Sequence, residues 1–200
     1  MSNTPLPAGP GARLAQEHSH ARILATVTLF TALTALGAQV TLRLPFTPVP
    51  VTLQVLFALL AGAALGSRLG ALSQLQYLAL GAAGLPLFAG GVAGVTAFAG
   101  PSAGYLPGLV AGAWLVGRLT ERAPRPTPLR LFLAMVGGVA AIYAPGVLWL
   151  SLWLRVVQGA PWVHAMQQAA LLGAAPFVVV DLAKAMVAAG LSTRLGRPSL

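Results

Sequence analysis

Long apolar stretches separated by short polar or Pro/Gly-rich breaks organise this chain. The first stretch, residues 21–42 (ARILATVTLFTALTALGAQVTL), is long enough to cross a bilayer, which takes roughly 17–25 residues. The next segment, RLPFTPVPVT, has prolines at 45, 48 and 50. They remove backbone donors and restrict their neighbours, so a regular helix is excluded there. A second span is expected over 52–66, a tight turn at SRLG, and a third span over 69–85. Residues 86–104 (PLFAGGVAGVTAFAGPSAG) are apolar but dense in glycine. Irregular backbone at membrane depth must be covered by protein or face a water-filled cavity. This segment is therefore expected to dip into or cap a cavity, with an ordinary outer loop as the alternative. A fourth span covers 105–120, and a polar, basic linker (ERAPRPTPLR) leads to a fifth over 129–154, with a kink expected at Ala144-Pro145-Gly146. Residues 155–175 are mildly amphipathic and suit a short interfacial helix, with Trp162 and His164 near headgroup level. The sixth span runs from Pro176 to about residue 195.

The pattern predicts an all-α, polytopic membrane protein with six transmembrane helices over residues 21–195. Residues 1–20, polar and rich in Pro and Gly, are expected to be a disordered tail, and residues 196–200 a second short tail. Composition agrees. Hydrophobic residues make up 57% of the 200 and charged residues 8%, against about 25% in an ordinary soluble domain, so this surface is not water-facing all round.

The net charge of +9 first suggests nucleic acid, but its distribution argues otherwise. With six spans, nine arginines (13, 22, 68, 118, 122, 125, 130, 194 and 197) fall on the side of the termini, and only Arg43 and Arg155 on the other. That asymmetry is the positive-inside pattern, and it predicts cytoplasmic termini. No basic face with interleaved aromatics tracks a phosphate backbone, so nucleic acid is not an expected partner; membrane lipid is.

One pair of charges breaks the apolar pattern. The stretch VVVDLAKAM, residues 178–186, holds the only Asp and the only Lys of the chain, Asp181 and Lys184. Residues three apart share a helix face. A charge near a bilayer centre costs at least ~2.5–3.5 kcal/mol, and such residues face a bundle interior and mark a ligand or ion path. Two readings stay open: an internal ion pair locking the last helix, or an acceptor and a donor offered to a polar ligand. Gln54, Gln74, Gln76 and Tyr77 lie in apolar spans, where interhelical hydrogen bonding is the plainer role. Small residues recur in the first span (Ala21–Ala25, Thr28–Ala32, Thr31–Ala35) and suit close helix contact, within the bundle or with a partner.

Other chemistries lack their residues. There is no cysteine, no phosphate-cradling GxxxxGK[ST], no HExxH, and no two carboxylates share a span. Neither an enzyme nor a metal or cofactor site is expected.

Three ordered blocks resemble the BioY family, the biotin-specific substrate-binding membrane components of energy-coupling-factor transporters. They are LPFTPVPVTLQ with the sequence following it to FAGG, then GPSAGYLPG, then PFVVVDLAKA, within residues 21–195. The resemblance implies capture of biotin at the cell membrane of a prokaryote, with a separate transmembrane coupling protein and cytoplasmic ATPase subunits using ATP. The family's D-x-x-K element falls on Asp181 and Lys184 and implies substrate binding there. Phe88, Gly90 and Gly91 would line the site; some relatives have an Asn near this point, where this chain has only glycines. Gln54 and Tyr105 complete the expected binding set. Phe46, Thr47, Pro48, Val49, Pro50 and Thr52 would form a gating loop. The small-residue face (Ala21, Ala25, Thr28, Ala32, Ala35) would dock on the coupling protein. A carboxylate can accept from the ureido N–H groups of biotin while an ammonium donates to its carbonyl; alternatively Lys184 pairs with the valerate. The rival function is a self-sufficient secondary transporter of biotin or another small vitamin, proton-coupled through Asp181.

Overall fold

The computed structural model describes residues 10–121 and 126–195. Its elements are α1 (Pro10–Gln39), β1 (Thr41–Leu42), β2 (Val51–Thr52), α2 (Gln54–Ala82), two short 3-10 turns (Ala89–Gly91 and Val95–Ala99), α3 (Tyr105–Thr120), α4 (Pro128–Gln158), α5 (Trp162–Gly173) and α6 (Val178–Leu195). The all-helical expectation holds.

Helix α1 starts eleven residues before the expected Ala21. Pro10 is suited to a first helical position, and the residues after it include Ala, Arg, Leu, Gln and Glu, all good helix formers. The tail expected over 1–20 is therefore helical from Pro10 on; residues 1–9 and the short tail 196–200 lie outside the described residues. α1 ends at Gln39, and Thr41 and Leu42 turn into a two-residue antiparallel ladder with Thr52 and Val51. The Pro-rich loop is thus the tip of a pinned hairpin. Along α1, Val27, Thr31, Thr34 and Ala38 face inward at helical spacing, and Leu24, Leu29 and Leu36 face out, as a lipid-facing side requires.

Helix α2 is folded back on itself. In a straight helix residues 54 and 77 would stand about 35 Å apart. Here the Gln54 amide donates to the Tyr77 hydroxyl at 2.8 Å. The reversal is at Gly66, whose φ of +81° is open to glycine and strained for other residues. The expected turn at SRLG is thereby corrected: Gly66 alone reverses the chain, and Ser67 begins the second arm. Glu121, just past α3, accepts from the Ser67 backbone N–H at 3.0 Å and its hydroxyl at 2.8 Å, satisfying donors at the start of that arm.

Helix α3 packs between α2 and α4, and α6 between α2 and α4. The α3–α4 crossing is close because Gly112 and Gly138 meet there. A methyl on Gly112 would come within 2.9 Å of the Gly138 carbonyl oxygen. Helix α4 runs through Pro145 and four residues past its expected end, stopping at Gly159 in the left-handed conformation. The expected interfacial helix exists as α5, with the Arg155 guanidinium 4.9 Å over the half-exposed Trp162 ring. By length and apolarity α1, α2 and α4 qualify as spans, as does the bent pair α5–α6 if it is one span. The hairpin in α2 and the separate α3 then supply a helix in each of the six expected places, α5 being additional.

Candidate functional site

Asp181 and Lys184 are both buried, 3% and 8% exposed, in the first two turns of α6. Val178, Val179 and Val180 around them face outward, so the helix periodicity turns the two charges into the bundle. The Lys184 ammonium donates to Asp181 Oδ1 at 2.6 Å and to the Thr52 carbonyl at 2.7 Å. The Tyr143 hydroxyl of α4 donates to Asp181 Oδ2 at 2.6 Å. The charges therefore form the internal ion pair of the first reading, and one member of that pair, Asp181, borders a cavity.

The cavity has a volume of about 570 Å³, within the usual range for small-molecule sites. Asp181 lines it; Lys184 does not, standing behind the carboxylate. Each ionised carboxylate offers about four lone-pair sites. Each oxygen of Asp181 already accepts one bond, so each keeps acceptor capacity toward the cavity. Gln54 and Tyr105 also line it. Gln54 is held by the Thr52 hydroxyl donating to Oε1 at 2.9 Å and by its own bond to Tyr77, while Tyr105 donates to the Gly173 carbonyl at 2.7 Å. The remaining walls are largely apolar, from Val55, Phe88, Val92, Ala97, Leu106, Leu109, Ile142 and Phe177. Phe88 is fixed edge-on between Tyr77 and Phe98 at 5.5 and 5.7 Å.

Not every expected residue reaches the cavity. Gly90 and Gly91 do not line it; Ala89 and Val92 on either side do. The two glycines have φ of +71° and +76° and are exposed, so they turn the backbone instead of forming wall. In the gating loop, Thr47, Pro48, Val49, Pro50 and Thr52 line the cavity, and Phe46 points away, 57% exposed. The loop is fastened: the Thr47 hydroxyl donates to the Leu172 carbonyl at 2.6 Å, and Val49 is buried among Leu150, Leu154, Ala165, Ala169 and Phe177. The 86–104 segment contributes Phe88, Ala89, Val92, Thr96, Ala97 and Gly100 to the cavity wall, though Gly90, Gly91 and Val95 are exposed; it is tied down by Trp149, which donates to the Gly100 carbonyl at 2.8 Å, and by Gln39, which donates to the Phe88 carbonyl at 3.4 Å. On α1, Ala21, Ala25, Thr28 and Ala32 are exposed on one stripe, while Ala35 packs against the core. Gln74 and Gln76 serve the α1–α2 contact, donating to the Thr34 and Thr28 hydroxyls.

Tyr143 and Arg43 were not among the residues singled out as candidates for the site. Tyr143 had a signal: a phenol inside an apolar span needs a hydrogen-bond partner. The chain has three tyrosines, 77, 105 and 143, and each lines the cavity or bonds a residue that does.

An apolar helical bundle enclosing a polar-cornered cavity of this size has the form of a membrane protein with a small-molecule site. The fold matches, with a TM-score of 0.75, the crystal structure of the S-component for biotin from an ECF-type ABC transporter, at 24% identity over 89% of this chain and 92% of that one. Residues 12–199 match the model of the BioY family. The biotin transporter BioY of Thermotoga maritima is 39% identical across 87% of this chain and 95% of its own length. That of Rhodobacter capsulatus is 42% identical across 83% and 88%. The chain belongs to the BioY family, a family of multi-pass membrane transport proteins and not of enzymes.

Proposed function

We propose that this protein is the membrane-embedded biotin-binding component of an energy-coupling-factor transporter. The observation that carries the reading is Asp181 on the wall of an otherwise mostly apolar cavity, braced by Lys184 and Tyr143 and retaining acceptor capacity. Biotin has a flat ureido ring with two N–H donors, and apolar thiophane and alkyl parts. The carboxylate accepts from the ureido N–H groups in charge-assisted bonds, which are stronger than neutral ones. Gln54 and Tyr105 flank the ring, and Phe88 and the aliphatic walls take its apolar parts. Lys184, already committed to Asp181 and Thr52, sets the position and charge of the carboxylate.

Residues 43–52 act as the lid, opening by release of Thr47 from Leu172 and of Val49 from its apolar seat. The arginine asymmetry supports cytoplasmic termini and an outward-facing lid, in a prokaryotic cell membrane. ATP is used by separate ATPase subunits acting through a transmembrane coupling protein, a reading supported by the likeness to the S-component of an ECF-type ABC transporter. The exposed stripe Ala21, Ala25, Thr28 and Ala32 lets a partner helix approach closely.

Calorimetric titration of the detergent-purified protein tests the reading, with dethiobiotin and valerate as competitors. Saturable biotin binding, displaced by dethiobiotin, which keeps the ureido group, and not by valerate alone, is the expected result. Absence of saturable biotin binding refutes it.

A further inference from the structure

The cavity has a second polar feature, at the lid. Arg43, the residue after β1, lines it and is exposed. Its guanidinium lies against the 86–104 segment: a methyl built on Gly90 would stand 3.1 Å from Nη2. The side chain therefore reaches from the lid across to the opposite wall of the cavity mouth.

This cation has no carboxylate partner among the described residues. The chain contains three acidic residues. Asp181 is bonded to Lys184 and Tyr143, and Glu121 to Ser67 and Arg118. Glu17 lies 22 residues before the end of α1, about 33 Å down that helix at 1.5 Å per residue.

Charge balance gives Arg43 a role. The Asp181–Lys184 pair is formally neutral and its ammonium does not line the cavity. A ligand carrying its own negative charge finds no counter-charge at that end, and placing its carboxylate beside Asp181 would set two anions together. Among the described residues, Arg43 is the one cationic side chain lining the cavity. A guanidinium presents paired N–H donors that match a carboxylate.

Resting on the biotin reading above, we infer that Arg43 is a specificity-determining residue that receives the ligand's carboxylate at the cavity mouth while the ureido group occupies the Asp181 end. The bound molecule then joins the lid to the 86–104 segment through Arg43. This orientation excludes the alternative in which Lys184 meets the valerate. It also makes the protein selective for the free acid over neutral side-chain derivatives.

The test compares biotin with biotinamide, which keeps the ureido and thiophane rings and replaces the carboxylate by a neutral amide. Affinities are measured by calorimetry in detergent for wild type, Arg43→Gln and Arg43→Lys. Because the site is at an exposed rim, the expected preference of wild type for the acid is about fivefold to tenfold. Arg43→Gln reduces the preference to within about twofold, chiefly by weakening biotin, and leaves biotinamide affinity unchanged; Arg43→Lys keeps part of it. Equal binding of acid and amide by wild type, an undiminished preference in Arg43→Gln, or equal weakening of both ligands in that variant overturns the inference while leaving biotin binding intact. If wild type binds neither ligand, the biotin reading itself falls.

Discussion

Replacing the members of the buried pair one at a time and together gives a sharp prediction. Lys184→Met removes the cation and leaves the Asp181 carboxylate buried with only the Tyr143 hydroxyl as donor; Asp181→Asn leaves the ammonium buried with neutral acceptors, the Thr52 carbonyl and the new amide oxygen, and no counter-charge. Breaking a buried ion pair by removing one partner costs about 3–5 kcal/mol, because the survivor's desolvation is no longer offset. At 2.6 Å and less than one-tenth exposure, this pair meets the conditions for that figure. The double variant Asp181→Asn/Lys184→Met buries no net charge and is expected to be more stable than either single variant, with a coupling of about 2 kcal/mol or more. Thermal unfolding in one detergent, without biotin, measures the cycle. Additive single effects, or single variants that lose less than about 1 kcal/mol, would show that water reaches the pair and would refute the reasoning.

Other perturbations report on separate parts. Thr47→Val removes the bond from the lid to the Leu172 carbonyl, worth about 0.5–1.5 kcal/mol, together with the one its hydroxyl accepts from the Val49 N–H within the loop, so biotin should dissociate at least about two- to twelvefold faster in stopped-flow exchange with little change in unfolding temperature. Gly66→Val forces a β-branched residue to φ +81° and should cost about 1–3 kcal/mol in the same unfolding assay, whereas Gly190→Ala, at an open position of α6 with ordinary helical backbone, should not destabilise the protein. Glu121, in the linker past α3, has its carboxyl held below the usual range, first by the Ser67 backbone N–H and then by the Ser67 hydroxyl and Arg118. Its contribution is present above the ordinary carboxylate pKa and is lost as pH falls through the depressed one. Glu121→Gln should therefore lower the unfolding temperature at pH 7 modestly, the side chain being 30% exposed and screened by solvent, and the difference from wild type should vanish in acid. Reconstituted alone, the protein should show no uptake that an uncoupler abolishes; such uptake would favour proton coupling through Asp181.

Charge scarcity made the buried Asp181–Lys184 pair legible in advance. In a chain with one Asp and one Lys, placing both on one helix face inside an apolar run is informative without any structure. The prolines at 45, 48 and 50 likewise marked the non-helical loop that lines the cavity, because they forbid a helix whatever their surroundings. The hairpin in α2 was only half legible. Both arms are apolar on most faces, so periodicity carries little signal, and the choice between Gly66 and the following residues depends on which backbone adopts a positive φ. The ladder of Thr41 and Leu42 with Val51 and Thr52 is too short for any strand pattern. Tyr143 and Arg43 join the site through contacts between segments far apart in sequence, to α6 and to the 86–104 segment, and spacing along one helix does not reveal them.

Everything in the binding account depends on the ureido group donating to Asp181. The most direct measurement is a two-by-two comparison: biotin and its ureido N-methyl derivative, each titrated into wild type and Asp181→Asn. Wild type should bind biotin at least about tenfold more tightly than the methylated form, since a hydrogen bond to a charged group is worth about 1.5–3 kcal/mol. Asp181→Asn should weaken biotin by a similar factor and discriminate little between the two ligands. An Asp181→Asn protein that binds biotin as tightly as wild type, or rejects the methylated ligand just as strongly, would contradict the account.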